Sequence, residues 1–333
     1  MTAWGNHTEV INDLYISKSL LIFKATTLGL ILCLNLFANS LVLVVLPRIR
    51  ELSPVTRVFM TSMTVSDLGA GLGYIFPVFA STIVNQWPFG DTMCSILAHT
   101  NYVFCLTSSL SLLSVNVERY IAVTRPLRYP MLMNVTRARV ISVALWVCSL
   151  MLPALSCFVP WRKIYYADNM HACTTGPADP ALQDKQGTMF ITLFIVGPLG
   201  ITLALFIRLF RLARWHASRI AALGQAFGRA NNKSDKKVFV TFFIMTICLT
   251  IAWCPIAIAF IYENVTRTSI SGWLMCLAQL MVFSNTVVNV LVYYLRNREF
   301  KDTVRKLLKC SCECNMNDRI QETPVISMST SIS

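Results

Sequence analysis

Acidic and basic side chains are scarce in this chain, so each of them constrains the chemistry. Only 14% of the 333 residues are charged, while 55% are apolar. Asp67 is the one ionisable acid or base in the apolar run from Val58 to Trp87. Carrying a charge in such surroundings costs about 2.5 to 3.5 kcal/mol even on lenient insertion scales, so it must be offset by partners or by a cation. Four polar residues in other apolar runs can supply partners: Asn39, Ser108, Asn285 and Asn289. With Asp67 as the metal-side carboxylate they form an oxygen-rich set that could hold a hydrated sodium ion. The alternative is a neutral Asp67 whose hydrogen bonds tie helices together. A second constellation is Glu118-Arg119-Tyr120, an acid and a base side by side, with Asp235 as a further acid far along the chain. Nothing reads as a nucleophile, base and orienter. The four histidines, His7, His99, His171 and His216, are scattered without metal-ligand spacing, so an enzyme is disfavoured.

These residues must be positioned by elements suited to lipid. A bilayer core about 30 Å thick takes about 20 apolar residues at helical rise. Seven such runs occur: Ala25 to Leu46, Val58 to Trp87, Met93 to Val117, Val140 to Pro160, Gly187 to Ile207, Val238 to Tyr262 and Ile270 to Leu295. They are continuous rather than alternating, which indicates helices and not the short strands of a barrel. The expected fold is an all-α membrane protein, a seven-transmembrane helix bundle.

The basic residues give the orientation, because Lys and Arg stay cytoplasmic in short loops. With the amino terminus outside, 23 of the 29 fall in the inner loops and carboxyl tail. Lys18, Lys24, Arg162, Lys163, Lys185 and Arg267 remain outside. The net charge of +13 is thus a topology signal and partly a set of contacts to membrane lipids, not a nucleic-acid footprint. A transporter is the stronger rival function, but it would show inverted repeats and several intramembrane charges, where this chain has Asp67 and no repeat.

The chain divides into an extracellular tail over 1–24, a helix-bundle domain over 25–310 and a disordered cytoplasmic tail over 311–333. Polar Met1 to Val10 shows no cleavable signal peptide. Asn6 and Asn264 head external glycosylation sequons, while the sequon at Asn134 falls inside and should stay unmodified. Residues 297–309 form a short amphipathic cytoplasmic helix with Phe300, Val304, Leu307 and Leu308 on one face. Cys310, Cys312 and Cys314 follow, where palmitoylation would add a second anchor.

Glu118-Arg119-Tyr120, at the end of the third run, resembles the E/D-R-Y signature of the rhodopsin-like G-protein-coupled receptors, and the pattern continues across the other runs. Cys94 lies 25 residues before Arg119, Trp146 is in the fourth run, Pro198 in the fifth and Trp253-Cys254-Pro255 in the sixth. The seventh ends in Asn289-Val290-Leu291-Val292-Tyr293, followed by Phe300, which is similar to the family's N-P-x-x-Y and helix-eight phenylalanine. Each motif lies on its own run, in order, over about residues 25 to 310.

The resemblance implies a plasma-membrane receptor that takes an extracellular ligand, activates a heterotrimeric G protein and has arrestin as a further cytoplasmic partner. No cofactor is implied apart from an allosteric sodium ion. It assigns Glu118, Arg119, Tyr120, Asp235, Trp253, Pro255, Asn289 and Tyr293 to the switch. Arg119 is held by Glu118 and Asp235, and the sixth helix swings outward on the bend that Pro255 permits. Cys94 and Cys173, the two cysteines in extracellular segments, are expected to pair. Val290, Phe206, Leu249 and Ser109 depart from the residues usual at their positions.

Amine receptors of this family carry an aspartate seven residues after the third-span cysteine, where this chain has Asn101, and light-sensing members carry a lysine where it has Phe283. The outer half otherwise offers Tyr74, Phe104, Cys105, Phe190, Phe194, Trp253, Ile256, Phe260, Met275 and Phe283, with Asn101 and Gln279 as polar anchors. That set suits a neutral or lipophilic small ligand. A basic peptide meeting Glu263 is the alternative.

Overall fold

The computed structural model describes residues 3–50, 52–125, 127–157, 162–177, 232–266, 268 and 270–307, with isolated positions between 197 and 211. Long helices dominate. In hydrocarbon each backbone N–H and C=O must be satisfied within its own segment, and a helix does this without a partner. Five of the described helical segments are long and apolar enough to cross a membrane: Lys18–Arg48, Pro54–Val84, Gly90–Ala122, Val240–Glu263 and Gly272–Arg296. They carry the first, second, third, sixth and seventh runs. The fourth run lies on the helix Val135–Cys157, whose 23 residues also suit a bilayer core. The fifth run falls outside the described residues, apart from isolated positions.

Local signals set the helix boundaries. Ser53 caps the second span, its hydroxyl accepting from Thr56 N at 3.0 Å with Pro54 in the first turn. Ser271 caps the seventh span in the same way through Leu274 N. The second span is not uniform: Pro54–Ala70 passes through a π-turn at Gly71–Ile75 into Phe76–Val84. Gly71 is required there, because a Cβ would collide with Asn35 Oδ1. The helix that carries the first run extends unbroken from Ala3 to Val45.

Two apolar clusters hold the bundle together. The inner one joins Leu46, Phe59, Leu112, Val115, Phe242, Met245, Tyr293 and Phe300 across six helical elements. The outer one joins Leu28, Tyr74, Ile75, Ile256, Met275 and Phe283. The outer cluster also receives Ala167, Met170 and Ala172 from a two-stranded antiparallel hairpin, β1 (Arg162–Ala167) and β2 (Ala172–Pro177). This hairpin lies between the fourth and fifth runs and packs against one end of the bundle. The short cytoplasmic helix is described over 298–307, with Phe300 and Val304 buried against the inner cluster and Leu307 packed beside it. Leu308, Cys310, Cys312 and Cys314 lie outside the described residues.

Candidate functional site

At the C-terminal end of the third span, Glu118 is fully buried and surrounded by donors. Its carboxylate accepts from both the Nε and Nη2 of Arg119, from Ser53 Oγ at 3.2 Å, from Thr56 Oγ1 at 3.1 Å and from Tyr129 Oη. Arg119 Nη2 also donates to Ser53 Oγ at 3.0 Å and to Thr56 Oγ1 at 2.7 Å. A buried pair is stable only when its remaining hydrogen-bonding capacity is satisfied, and here the cap of the second span and the second inner loop do so. Burial and the bond to Glu118 push the Tyr129 phenol up to about 12, so it remains a donor near neutral pH. The expectation that Arg119 staples the third span to the sixth is therefore supplemented by ties to the second span. Asp235 lies near the start of the helix Asn232–Thr266, and its side chain is outside the described residues. Ser53, Thr56 and Tyr129 were not anticipated, although a Ser-Pro pair before an apolar run is a helix-start signal that could have pointed to the first two.

A second polar connection links the third and sixth spans deeper in the bundle. Asn116 Nδ2 donates to Thr246 Oγ1 at 2.8 Å, and that hydroxyl donates to Phe242 O at 3.0 Å. Below the seventh span, Asn297 Nδ2 donates to Tyr293 Oη at 2.9 Å, while the Tyr293 and Phe300 rings meet edge to face at 5.1 Å. Tyr293 is thereby held against the cytoplasmic helix. Pro255 lies inside the sixth helix, and Trp253, two residues before it, borders both apolar clusters.

Asp67 sits mid-bundle and buried. Ser108 Oγ donates to its Oδ1 at 2.7 Å and Asn289 Nδ2 to its Oδ2 at 3.2 Å. Asn285 borders a cavity that Asp67 also lines, and the Oδ1 atoms of Asn285 and Asn289 are buried without a hydrogen-bond partner among the described residues. A carboxylate, a hydroxyl and two unengaged amide oxygens are a donor set that fits a hard cation such as sodium. Asn39 stands apart from this group: it donates to Thr286 O and Asn35 O, both at 3.1 Å. Asn35, one turn away, instead reaches this segment by donating to the Asp67 backbone carbonyl at 3.0 Å.

Above Asp67 is a cavity of about 30 Å³, room for about two water molecules. Its lining includes Tyr74, Asn101, Phe104, Cys105, Trp253 and Phe283, so six of the twelve residues singled out for the outer half meet there. Cys105 donates to Asn101 Oδ1 at 3.4 Å. The Phe104 ring is also a packing element, since it lodges over Gly69 and Gly73 and meets Trp146 edge to face at 6.3 Å. Phe260 packs beside the outer cluster and is not part of the cavity lining. Gln279 is likewise away from this cavity, donating to Met170 O of the hairpin turn at 3.1 Å. Phe190 and Phe194 fall outside the described residues. Glu263, suggested as a partner for a basic peptide, accepts from Ile270 N at 3.1 Å and so braces its own loop.

The hairpin is clamped to the top of the third span by a disulfide between Cys94 and Cys173, whose Cα atoms are 5.3 Å apart, as expected. Asn6 lies on the first helix and Asn264 near the end of the sixth.

Comparison with known proteins agrees with this architecture. Residues 38–293 match the family model described as 7 transmembrane receptor (rhodopsin family). The chain is 26% identical over 289 residues to the histamine H2 receptor of Canis lupus familiaris, covering 86% of this chain and 79% of that one. It is 25% identical over 290 residues to a QRFP-like peptide receptor of Branchiostoma floridae, covering 83% and 74%. An alpha-1A adrenergic receptor of Oryzias latipes is 25% identical over 335 residues, covering 87% and 68%. With its seven-span bundle, buried acid-arginine pair and disulfide-clamped outer loop, the chain belongs to the rhodopsin family of seven-transmembrane receptors.

Proposed function

We propose that this receptor holds a small lipophilic ligand in the outer half of its bundle and signals by outward movement of the sixth span, with its amino terminus outside the cell. The observation that carries the switch is the buried Glu118–Arg119 pair at the cytoplasmic end, held by neutral donors that a conformational change can replace. Relatives named for histamine and adrenergic ligands suggest an amine. Asn101, which accepts from Cys105, offers no charge to pair with one; the carboxylate in the lining, Asp67, is engaged by Ser108 and Asn289, and most of the other lining residues are apolar or aromatic. The engagement of Glu263 by Ile270 weighs against the peptide alternative. Arrestin, membrane lipids and palmitoylation at Cys310, Cys312 and Cys314 complete the proposed cytoplasmic partnerships, and Asn6 and Asn264 the proposed outer modifications.

Nucleotide exchange on purified G protein tests the switch. Asp235→Ala should raise basal exchange several-fold, because an ion pair at the membrane edge is worth about 1 kcal/mol. Arg119→Ala should abolish exchange by removing the docking contact. Flat exchange in Asp235→Ala at equal surface expression sinks the brake role assigned to that residue.

Asp67, Ser108, Asn285 and Asn289 would hold the sodium ion, which supplies positive charge to the buried carboxylate. If the ion favours the resting bundle, sodium lowers agonist affinity by linkage, and Asp67→Asn removes that effect. Equal sodium sensitivity in Asp67→Asn would falsify the site.

A further inference from the structure

Lys24 is counted by its sequence as a basic residue flanking the first span, yet its side chain is 1% exposed. It lies in the outer cluster region, where its Nζ donates to Met170 O at 2.7 Å and contacts His171 Nδ1 at 3.3 Å. Among the described residues no carboxylate lies within ion-pair distance of it. Asp168, in the same hairpin turn, is exposed and influences His171 only at longer range. A buried ammonium compensated only by neutral acceptors is poorly stabilised, because a carbonyl returns much less of the lost hydration than an anion would.

The geometry around Met170 is that of a site for an oxygen acceptor. Lys24 from the first span and Gln279 from the seventh donate to this one carbonyl oxygen, at 2.7 and 3.1 Å. Gln279, 5% exposed, has its Oε1 buried with no hydrogen-bond partner among the described residues. One cation, one amide donor and one unfilled acceptor therefore converge at the hairpin turn. Met170 itself packs into the cluster that includes Tyr74 and Phe283, which line the cavity above Asp67. Polar site and apolar cavity are thus joined by continuous apolar packing.

We propose that Lys24 and Gln279 form a carboxylate-recognition subsite, taking a ligand with an apolar chain and a carboxylate flanked by an N–H or O–H donor. The carboxylate replaces the Met170 carbonyl on Lys24 and on the Gln279 amide nitrogen, and the flanking donor satisfies Gln279 Oε1. The hairpin turn occupies this place in the ligand-free receptor and is displaced from it on binding. The ammonium–carbonyl bond is ionised on one side only, and a carboxylate in its place adds the Coulombic attraction of an ion pair, so the exchange favours the anion. This subsite rests on the ligand-binding reading given above and revises its ligand from neutral to anionic at one end.

The test uses the full-length receptor in lipid nanodiscs without G protein, read by its thermal midpoint. The probes are N-decanoylglycine, its methyl ester and decanoate, at constant ionic strength. N-decanoylglycine should raise the midpoint most, decanoate less, and the ester should leave it unchanged. Lys24→Met should bind N-decanoylglycine at least about tenfold more weakly, since a bond to a charged group is worth that much or more. Lys24→Arg should retain part of the effect, and Gln279→Leu should erase the preference for N-decanoylglycine over decanoate. Because the ligand-free Lys24 is under-compensated, Lys24→Met should also unfold at a higher temperature than the parent. The proposal is overturned by an ester as effective as the acid, by equal shifts in Lys24→Met, by no shift in the parent, or by a lower unfolding temperature in ligand-free Lys24→Met. Coupling does not enter this readout, so it and the Arg119→Ala exchange test can fail independently.

Discussion

Outward movement of the sixth span must break the bond between Asn116 and Thr246, which makes that bond a second restraint on signalling. Both residues are buried, at 6% and 1% exposure, so water cannot easily substitute while the helices are packed. The 2.8 Å bond joins two neutral groups, and such a bond contributes about 0.5 to 1.5 kcal/mol net. Taking about 1 kcal/mol, its loss shifts the resting-to-active ratio by roughly fivefold. Asn116→Ala is the cleaner perturbation, because the Thr246 hydroxyl remains bonded to Phe242 O. Thr246→Val strands the Asn116 amide and should raise basal signalling at least as much. The assay is basal nucleotide exchange at matched surface expression, on both single variants and the double. One shared bond predicts that the double exceeds neither single by much, a coupling of about 1 kcal/mol. Unchanged exchange in both singles, or effects that multiply in the double, would refute the reasoning.

Two further outcomes follow from the packing and the outer hairpin. Gly69→Ala places a Cβ against the Phe104 ring and must drive that ring toward the cavity, so it should destabilise by about 1 to 3 kcal/mol; an unchanged thermal midpoint would show that the ring has room to move. His171 is held neutral, its pKa lowered to about 4 by burial and then by the nearby Lys24 charge. Its unfolded-state value near 6.5 means that its contribution to stability is present above that pH and is lost as the pH falls toward 4. The thermal midpoint should decline across this window, and His171→Gln should flatten the decline; identical profiles would remove His171 from the account.

Much of the fold was legible in the sequence because lipid imposes a single demand. A segment without charge for about 20 residues must be helical and must span, whatever its neighbours are. The first, second, third, sixth and seventh runs accordingly lie on helices long and apolar enough to cross a membrane. The Cys94–Cys173 pair was equally accessible, since topology left two cysteines on the oxidising side and the family resemblance supported their pairing. Asp67 announced itself by the cost of its charge, and Ser108 and Asn289 were the right kind of partner.

What only the tertiary structure decided is which polar atom meets which. Helical periodicity does not decide which of two polar residues one turn apart meets a neighbouring helix, and here Asn35 reaches the Asp67 backbone while Asn39 bonds to Thr286. Charge counting treats a lysine beside a span as solvated, yet the hairpin folds over Lys24 and buries it, because an extracellular loop packs where its disulfide and its own apolar residues draw it. Gln279 and Phe104 were chosen as ligand contacts for their depth along a helix, but rotation about that helix and the small size of Gly69 and Gly73 determine what they touch. Composition and spacing therefore specify the bundle and its charged elements; the pairing of those elements depends on contacts between residues far apart in the chain.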